Sequence, residues 1–279
     1  MFPAPFDYVR ATTLSEAVEL LVRHGEDAKI LAGGHSLIPA MKLRLARPTV
    51  VIDIGRVAEL NYVRDSGGQI SIGATTTHRE IEASPLLSER CPLLPAVAAC
   101  IGDIQVRNKG TIGGSLAHAD PAADWPAAVL ALDAEIVLAS ASGLRTVKAS
   151  AFFVGILQTA IAPGEILSEI RVPSTGRGVA YVKTEQKASG FAICGVAAVL
   201  DARGGARVGV TGVAATAYRA SAVEQALAGK TINAAAITAA ASRAADGADP
   251  LSDIHATAEF RAHLARVNTA RALTQALGR

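Results

Sequence analysis

Lys29-Ile30-Leu31-Ala32-Gly33-Gly34-His35-Ser36-Leu37-Ile38-Pro39 reads as a short strand, a glycine turn and the first turn of a helix. Paired glycines after a strand let the backbone take positive φ and approach a ligand closely. Proline is tolerated in the first turn of a helix, which suits Pro39. Successive free amides at Ala32 to Leu37, with the Ser36 hydroxyl, form a nest that suits a pyrophosphate. One such loop in isolation is better explained as an ordinary strand-to-helix turn. The spacing is neither GxGxxG nor GxxxxGK[ST], so neither the dinucleotide fingerprint nor the P-loop applies.

A second stretch, Thr111-Ile112-Gly113-Gly114-Ser115, repeats the two glycines, the hydroxyl and the apolar neighbours. Two nests of this kind fit a ligand with two phosphates gripped from both sides. Composition and spacing name no ligand. Ala117-His118-Ala119-Asp120-Pro121-Ala122-Ala123-Asp124 follows directly. No second histidine stands at i+4 to His118, and Asp120-Pro121 reads as an N-cap and helix start, so a metal site is disfavoured. A carboxylate such as Asp124 can instead accept hydrogen bonds from the hydroxyls of a ribityl chain. Ser36 and Ser115 lack a GxSxG setting, and no nucleophile–base pair stands out. The lone Trp125 reads as core.

Working outward, Thr13-Leu14-Ser15-Glu16 reads as a capping box at the head of a helix that Gly25 stops. Val50 to Ile54 is a buried strand, and Leu60 to Val63 with Gln69 to Ile72 flank Asp65-Ser66-Gly67-Gly68 as a hairpin. Helices are expected at His78 to Ala83, Leu93 to Cys100 and Ala123 to Leu132, and strands at Glu135 to Leu138 and Glu165 to Val172. Pro173-Ser174-Thr175-Gly176-Arg177-Gly178 is the best linker. Val179 to Glu185, Phe191 to Leu200 and Arg207 to Val213 then form an antiparallel meander, with turns at Ala188-Ser189-Gly190 and Ala202-Arg203-Gly204-Gly205. The remainder is helical. Ser221-Ala222-Val223-Glu224 reads as a further capping box. Thr257 to Leu277 carries Phe260, Leu264, Val267, Leu273 and Leu277 mostly on one face.

The 279 residues suit one large domain or two ordinary ones. Half are hydrophobic and 19% are charged, which supplies a core and excludes a disordered chain. The net charge is +2 and the basic residues are scattered, so nothing reads as a nucleic-acid footprint. No signal peptide and no apolar run of bilayer length is visible, so a soluble, cytoplasmic protein is expected. Three cysteines, Cys91, Cys100 and Cys194, stand far apart and read as buried small hydrophobes. A ferredoxin-type cluster takes four cysteines, so this chain alone cannot house one.

Ala32 to Pro39 followed by Lys42-Leu43-Arg44, and Ile101-Gly102-Asp103-Ile104-Gln105-Val106-Arg107-Asn108 followed by Thr111 to Ser115, resemble the two FAD loops of the medium subunits of aerobic carbon monoxide dehydrogenase and its relatives. That family includes the flavin domains or subunits of xanthine, nicotine and caffeine dehydrogenases and of 4-hydroxybenzoyl-CoA reductase. The resemblance runs through the whole chain. It implies an α+β fold: an FAD-binding domain of the p-cresol methylhydroxylase type with two α/β subdomains over residues 1–175. A small domain of the carbon monoxide dehydrogenase flavoprotein type follows over 176–279, with a three-stranded antiparallel sheet and helices. The same resemblance places the pyrophosphate against Ala32, Gly33, Gly34, His35, Ser36 and Leu37, and against Thr111, Ile112, Gly113, Gly114 and Ser115. It implies apolar flavin contacts at Ile101 and Leu167, a carboxylate contact at Asp124, and a basic residue near the isoalloxazine that is Lys183 or Lys187. Phe191 stands where many relatives carry a tyrosine over the ring.

The implied division of labour is a large subunit with a molybdenum cofactor, a small subunit with two [2Fe–2S] clusters, and this chain as the FAD-carrying electron-transfer subunit. The assembly would be a heterohexamer, a dimer of heterotrimers. It would pass electrons to an external acceptor, with peripheral membrane association only through that acceptor. The competing readings are a stand-alone FAD-dependent oxidase or dehydrogenase and a non-catalytic flavin-binding assembly protein.

Overall fold

The computed structural model describes residues 1–176, 178–201 and 204–278. The fold is α+β. Its first part is a three-stranded parallel sheet of β1 (Asp7–Arg10), β2 (Ala28–Leu31) and β3 (Val50–Asp53), with β3 in the centre. Helix α1 (Leu14–His24) packs Ala17, Val18 and Leu20 into this sheet's core. The Thr13 hydroxyl caps its start by accepting from the Glu16 amide, but the Glu16 carboxylate reaches back to Thr12, at 2.7 Å, so the capping box is only half formed. Helix α2 (Leu37–Lys42) follows β2, with Pro39 in its first turn.

The next part is a five-stranded antiparallel sheet ordered β4-β5-β10-β6-β7. Its strands are β4 (Val63–Asp65), β5 (Gln69–Gly73), β6 (Glu135–Ser140), β7 (Gly143–Lys148) and β10 (Ile166–Pro173), and a small hairpin of β8 (Phe153–Gly155) and β9 (Gln158–Thr159) lies beside it. The expected hairpin forms with its second strand where read, but its first strand starts three residues later: Leu60 lies in a short 3-10 turn, and β4 starts at Val63. Between β5 and β6 run α3 (His78–Glu82), α4 (Pro85–Arg90), α5 (Leu93–Ala99), α6 (Ile104–Lys109), α7 (Ile112–His118) and α8 (Trp125–Ala131). These helices and the sheet share the largest core, with Trp125 fully buried in it.

The Pro173–Gly178 stretch does not hang free. Thr175 donates its amide to the Arg90 carbonyl at 2.8 Å, and Arg90 holds Ser174; Arg177 lies outside the described residues. Beyond it, β11 (Val179–Glu185), β12 (Ala192–Leu200) and β13 (Ala206–Thr211) form the expected meander, and a two-residue strand, β14 (Tyr218–Arg219), adds a fourth position. The turn before Gly204 falls partly on Ala202 and Arg203, outside the described residues. Helices α9 (Ser221–Leu227), α10 (Ala234–Ala241) and α11 (Ala258–Leu277) cover the sheet. Ser221 caps nothing. It already lies inside α9, and Glu224 accepts from the Val208 amide and from Arg219 instead.

Among the described residues no helix is long and apolar enough to cross a membrane, and no three His, Cys, Asp or Glu side chains gather as a metal site. Cys91 and Cys194 are buried, whereas Cys100 is exposed.

Candidate functional site: two loops and a buried ion pair

The first glycine stretch is the turn between β2 and α2. Gly34 sits at φ +76°, where a β-carbon is strained. Gly33 needs its missing side chain for another reason: a Cβ there would overlap the Lys109 carbonyl oxygen and lie 2.9 Å from the Gly110 Cα. The turn thus packs backbone to backbone on the approach to the second stretch. The amides of Gly33, Gly34, His35 and Ser36 find no acceptor among the described residues. The His35 ring folds back on the Gly33 carbonyl, with Nδ1 at 3.1 Å.

The second stretch differs from its sequence reading. It is no open turn but the start of α7, with Thr111 as N-cap. The four amides after Thr111 are already used. Ile112 donates to the Thr76 carbonyl at 3.1 Å, Gly113 to Ala74 at 2.9 Å, and Ser115 to Thr111 at 3.0 Å. Gly114 donates to the Thr111 hydroxyl at 3.1 Å. Gly113 is a packing glycine, since a Cβ there would meet Ala74 at 2.6 Å. Gly114 is exposed, and a Cβ on it would crowd the Thr111 hydroxyl at 2.8 Å and touch the Ala32 Cβ at 3.9 Å. The pair of loops is therefore asymmetric: one side offers free donors and the other offers a smooth wall.

A second cluster gathers around Asp124. This residue stands before α8 and is 5% exposed. Asp120 does not start a helix; its carboxylate accepts from the Ala122 amide at 2.8 Å in a local turn, and the helix begins at Trp125. The Asp124 carboxylate accepts from the Tyr181 hydroxyl at 2.5 Å and from Lys183 Nζ at 3.0 Å. Lys183 Nζ also donates to the Cys100 carbonyl at 2.9 Å. Burial pushes the Asp124 carboxyl up, and Lys183 and Tyr181 oppose that by holding the carboxylate. The Tyr181 phenol is pushed up by burial and by Asp124. Asp124 thus already has two strong donors from β11, and a ribityl hydroxyl would have to share it with them.

The structure separates the two candidate lysines. Lys183 is buried in the ion pair, whereas Lys187 is exposed. Ile101 is half-buried beside Cys100, and its neighbour Gly102 meets the turn that carries Phe191: a Cβ on Gly190 would lie 3.5 Å from the Gly102 Cα. Phe191 itself is 49% exposed. Asp124, Lys183, Ile101 and Phe191 therefore share one neighbourhood. Leu167 does not join it; its side chain is buried in the main core opposite Leu138. Arg107 ties the two regions together. It donates to the Ile101 and Gly102 carbonyls at 3.2 and 3.1 Å from within α6, the helix that leads to the second loop. Six residues of helix rise about 9 Å, so the phosphate-type loops and the Phe191 neighbourhood stand at opposite ends of a short rod. An extended ligand with a diphosphate at one end and a planar ring at the other suits that spacing.

Tyr181 and His78 were not foreseen. Tyr181 lies two residues before Lys183 on one strand, so period-two spacing puts both on the same face. His78 donates its amide to the Gly110 carbonyl at 2.9 Å and accepts from Trp125 Nε1 at 3.1 Å.

Comparison with known proteins agrees with this architecture. Residues 4–175 match the family described as the FAD binding domain in molybdopterin dehydrogenase, and residues 179–276 match the CO dehydrogenase flavoprotein C-terminal domain. The chain is 41% identical to the carbon monoxide dehydrogenase medium chain of Hydrogenophaga pseudoflava, covering 100% of this chain and 99% of that one. It is 40% identical to the 6-hydroxypseudooxynicotine dehydrogenase complex subunit alpha of Paenarthrobacter nicotinovorans, over 100% of this chain and 97% of that one. A solved structure of carbon monoxide dehydrogenase from Hydrogenophaga pseudoflava, in a form lacking the Mo-pyranopterin moiety of the molybdenum cofactor, superposes with a TM-score of 0.96 at 42% identity, covering 100% of this chain and 99% of that chain. With a donor-lined turn, a facing glycine wall and full-length similarity all pointing one way, the chain belongs to the FAD-binding medium subunits of the molybdopterin dehydrogenases and is an oxidoreductase subunit.

Proposed function

We propose that this chain is the electron-transfer subunit of a heteromeric molybdenum hydroxylase. It would take electrons from [2Fe–2S] clusters on a small subunit and deliver them to an external acceptor. Substrate oxidation would occur at a molybdenum cofactor on a large subunit. The observation that carries the reading is the turn at Gly33 to Ser36, whose amides have no acceptor among the described residues, on a chain similar over its full length to a medium chain. FAD supplies the chemistry of accepting two electrons and releasing them to an acceptor.

The chain's own residues would then bind and orient. Gly33, Gly34, His35 and Ser36 would hold the diphosphate by their amides, with Ala32, Leu37 and the Thr111–Ser115 stretch shaping the cleft. Lys183, fixed by Asp124 and Cys100, and Ile101 and Phe191 would frame the isoalloxazine. We divide the chain at residues 175 and 176 into an FAD-binding and a C-terminal domain, and assign the assembly as a cytoplasmic dimer of heterotrimers.

Purification from the native host tests the reading. The chain should co-purify with two larger and smaller partners, iron and molybdenum. The recombinant chain alone should bind FAD and remain inert toward organic reductants. A native preparation with flavin but neither metal would sink it, and flavin reduction by an organic substrate in the isolated chain would favour a stand-alone dehydrogenase.

A further inference from the structure

His78 packs against Gly110, the residue on which the first loop's Gly33 also rests. It is the first residue of α3 and is 4% exposed. Its Nδ1 accepts a hydrogen bond from Trp125 Nε1 at 3.1 Å. Burial, followed by the proximity of His35 on the first loop and Arg107 on α6, pushes its pKa down to about 4. The ring is therefore neutral at pH 7. A neutral imidazole that accepts at Nδ1 carries its proton on Nε2.

That Nε2–H has no acceptor among the described residues. Nor is it sealed from solvent, unlike the neighbouring Thr75 hydroxyl. Its position is set by Gly110, where a Cβ would lie 2.7 Å from Nε2. Gly110 is also the residue on which Gly33 packs. The donor thus opens on the seam where the first loop meets the approach to the second, beside the free amides of Gly33 to Ser36. A nearly buried donor that is unpaired within the described residues yet not sealed off is open to a partner from outside the chain.

We propose that His78 is a binding and positioning residue for the dinucleotide, donating Nε2–H to an oxygen of its diphosphate. The proposal deepens the FAD reading above and rests on it. Trp125 acts through His78 by fixing the tautomer, so a buried tryptophan of the core sets the direction of a ligand hydrogen bond.

Two substitutions separate ligand binding from packing. In His78→Asn the amide can still accept from Trp125 but reaches no further. In His78→Gln the longer side chain can carry a donor to the Nε2 position. Dissociation constants for FAD and for ADP, which shares the diphosphate and lacks the flavin, are measured on the full-length chain, together with thermal melts. Losing one hydrogen bond to a charged acceptor weakens binding about tenfold or more. His78→Asn should weaken FAD and ADP alike by that factor, and His78→Gln should recover most of it. Unchanged FAD and ADP binding in His78→Asn would overturn the proposal. So would a loss equal in both variants, which makes His78 a packing residue, or a loss for FAD without one for ADP, which moves it to the flavin end. Failure of the wild-type chain to bind FAD would instead refute the FAD reading itself.

Discussion

A Cβ on Gly33 would collide with backbone, whereas one on Gly114 would crowd the Thr111 hydroxyl and reach contact distance of the Ala32 Cβ. The two residues look alike in sequence and do different work. Gly33 lets two segments of backbone touch, whereas Gly114 leaves room for the Thr111 hydroxyl that caps α7. Gly114→Val tests the second role. Its Cβ would crowd the Thr111 hydroxyl at 2.8 Å, so loss of that N-cap should cost about 1 kcal/mol. The remaining methyls would stand in the cleft. A folded protein with a several-fold lower flavin content, read from the ratio of flavin to protein absorbance, is the expected result; full occupancy would remove the second stretch from the site. Little of this asymmetry was legible in the sequence. Glycine and hydroxyl spacing announces a close approach, but whether an amide is free depends on Thr76 and Ala74, which sit on another strand's end. The Asp124–Lys183 pair spans 59 positions along the chain and leaves no local pattern.

At the scale of elements, legibility followed burial. The strands Val179–Glu185 and Ala192–Leu200 carry dense β-branched and small apolar residues and were readable to within a residue. β7 was missed because Gly143 to Lys148 is an edge strand, exposed along almost its whole length, with no alternation to read. Helix α11 was found, and Leu264 and Leu273 are buried as expected, but the ends of the expected stripe are not. Phe260 and Leu277 are about half exposed, while Arg261, Ala265, Asn268, Ala272 and Ala276 face the sheet. Small side chains let the helix lie close, and the polar ones hide the stripe from a hydrophobicity reading. Most of their polar atoms bond to the sheet and to Asp253, although Arg261 Nε has no partner among the described residues. Asn268 Nδ2 donates to Thr184 and to the Cys194 carbonyl at 3.0 and 3.1 Å, and Arg261 donates to the Ile193 carbonyl at 2.9 Å and to Asp253 at 2.6 Å. Arg261 holds the Asp253 carboxyl down to about 2, from 3.8. A depressed acid stabilises the fold above its unfolded pKa, and that contribution fades as pH falls from about 4 to about 2. Asp253 is partly exposed, so solvent screening leaves about 1 kcal/mol. Arg261→Met should cost about 3 kcal/mol at pH 7, because the Ile193 and Gly212 carbonyls both lose their donor. It should also flatten the acid slope. Urea titrations at pH 7 and pH 3 check both, and an unaltered slope would disconnect Asp253 from the helix.

Across the whole molecule, α8 is where the two halves of the chain meet. Arg207 and Arg219 on the C-terminal sheet donate to the Ala131 and Leu130 carbonyls, at 3.0 and 3.3 Å, and so place cations at the helix's negative end. At the other end the Thr211 hydroxyl donates to the Ala123 carbonyl at 2.7 Å, and the Gly212 amide to Pro121 at 2.8 Å. In the middle, a Cβ on Gly209 would overlap the Ala127 carbonyl oxygen and lie 3.1 Å from the Ala131 amide. Sheet and helix are therefore in backbone contact, and Asp124 meets Lys183 only because this docking is tight. The lone tryptophan, Trp125, opens α8 and reports on it directly. The wild-type chain should lose Trp125 burial and far-ultraviolet circular dichroism in one coincident denaturant transition. Gly209→Val should lower that midpoint by more than about 3 kcal/mol of stability, the cost of overpacking against backbone. It should also weaken FAD binding, because Gly209 lies in the same cross-strand row as Tyr181, which bonds Asp124. Two separated transitions in the wild-type chain, or a Gly209→Val protein that keeps wild-type flavin affinity, would mean that the C-terminal sheet can part from α8 without disturbing Asp124, and that the ion pair is not what the docking maintains.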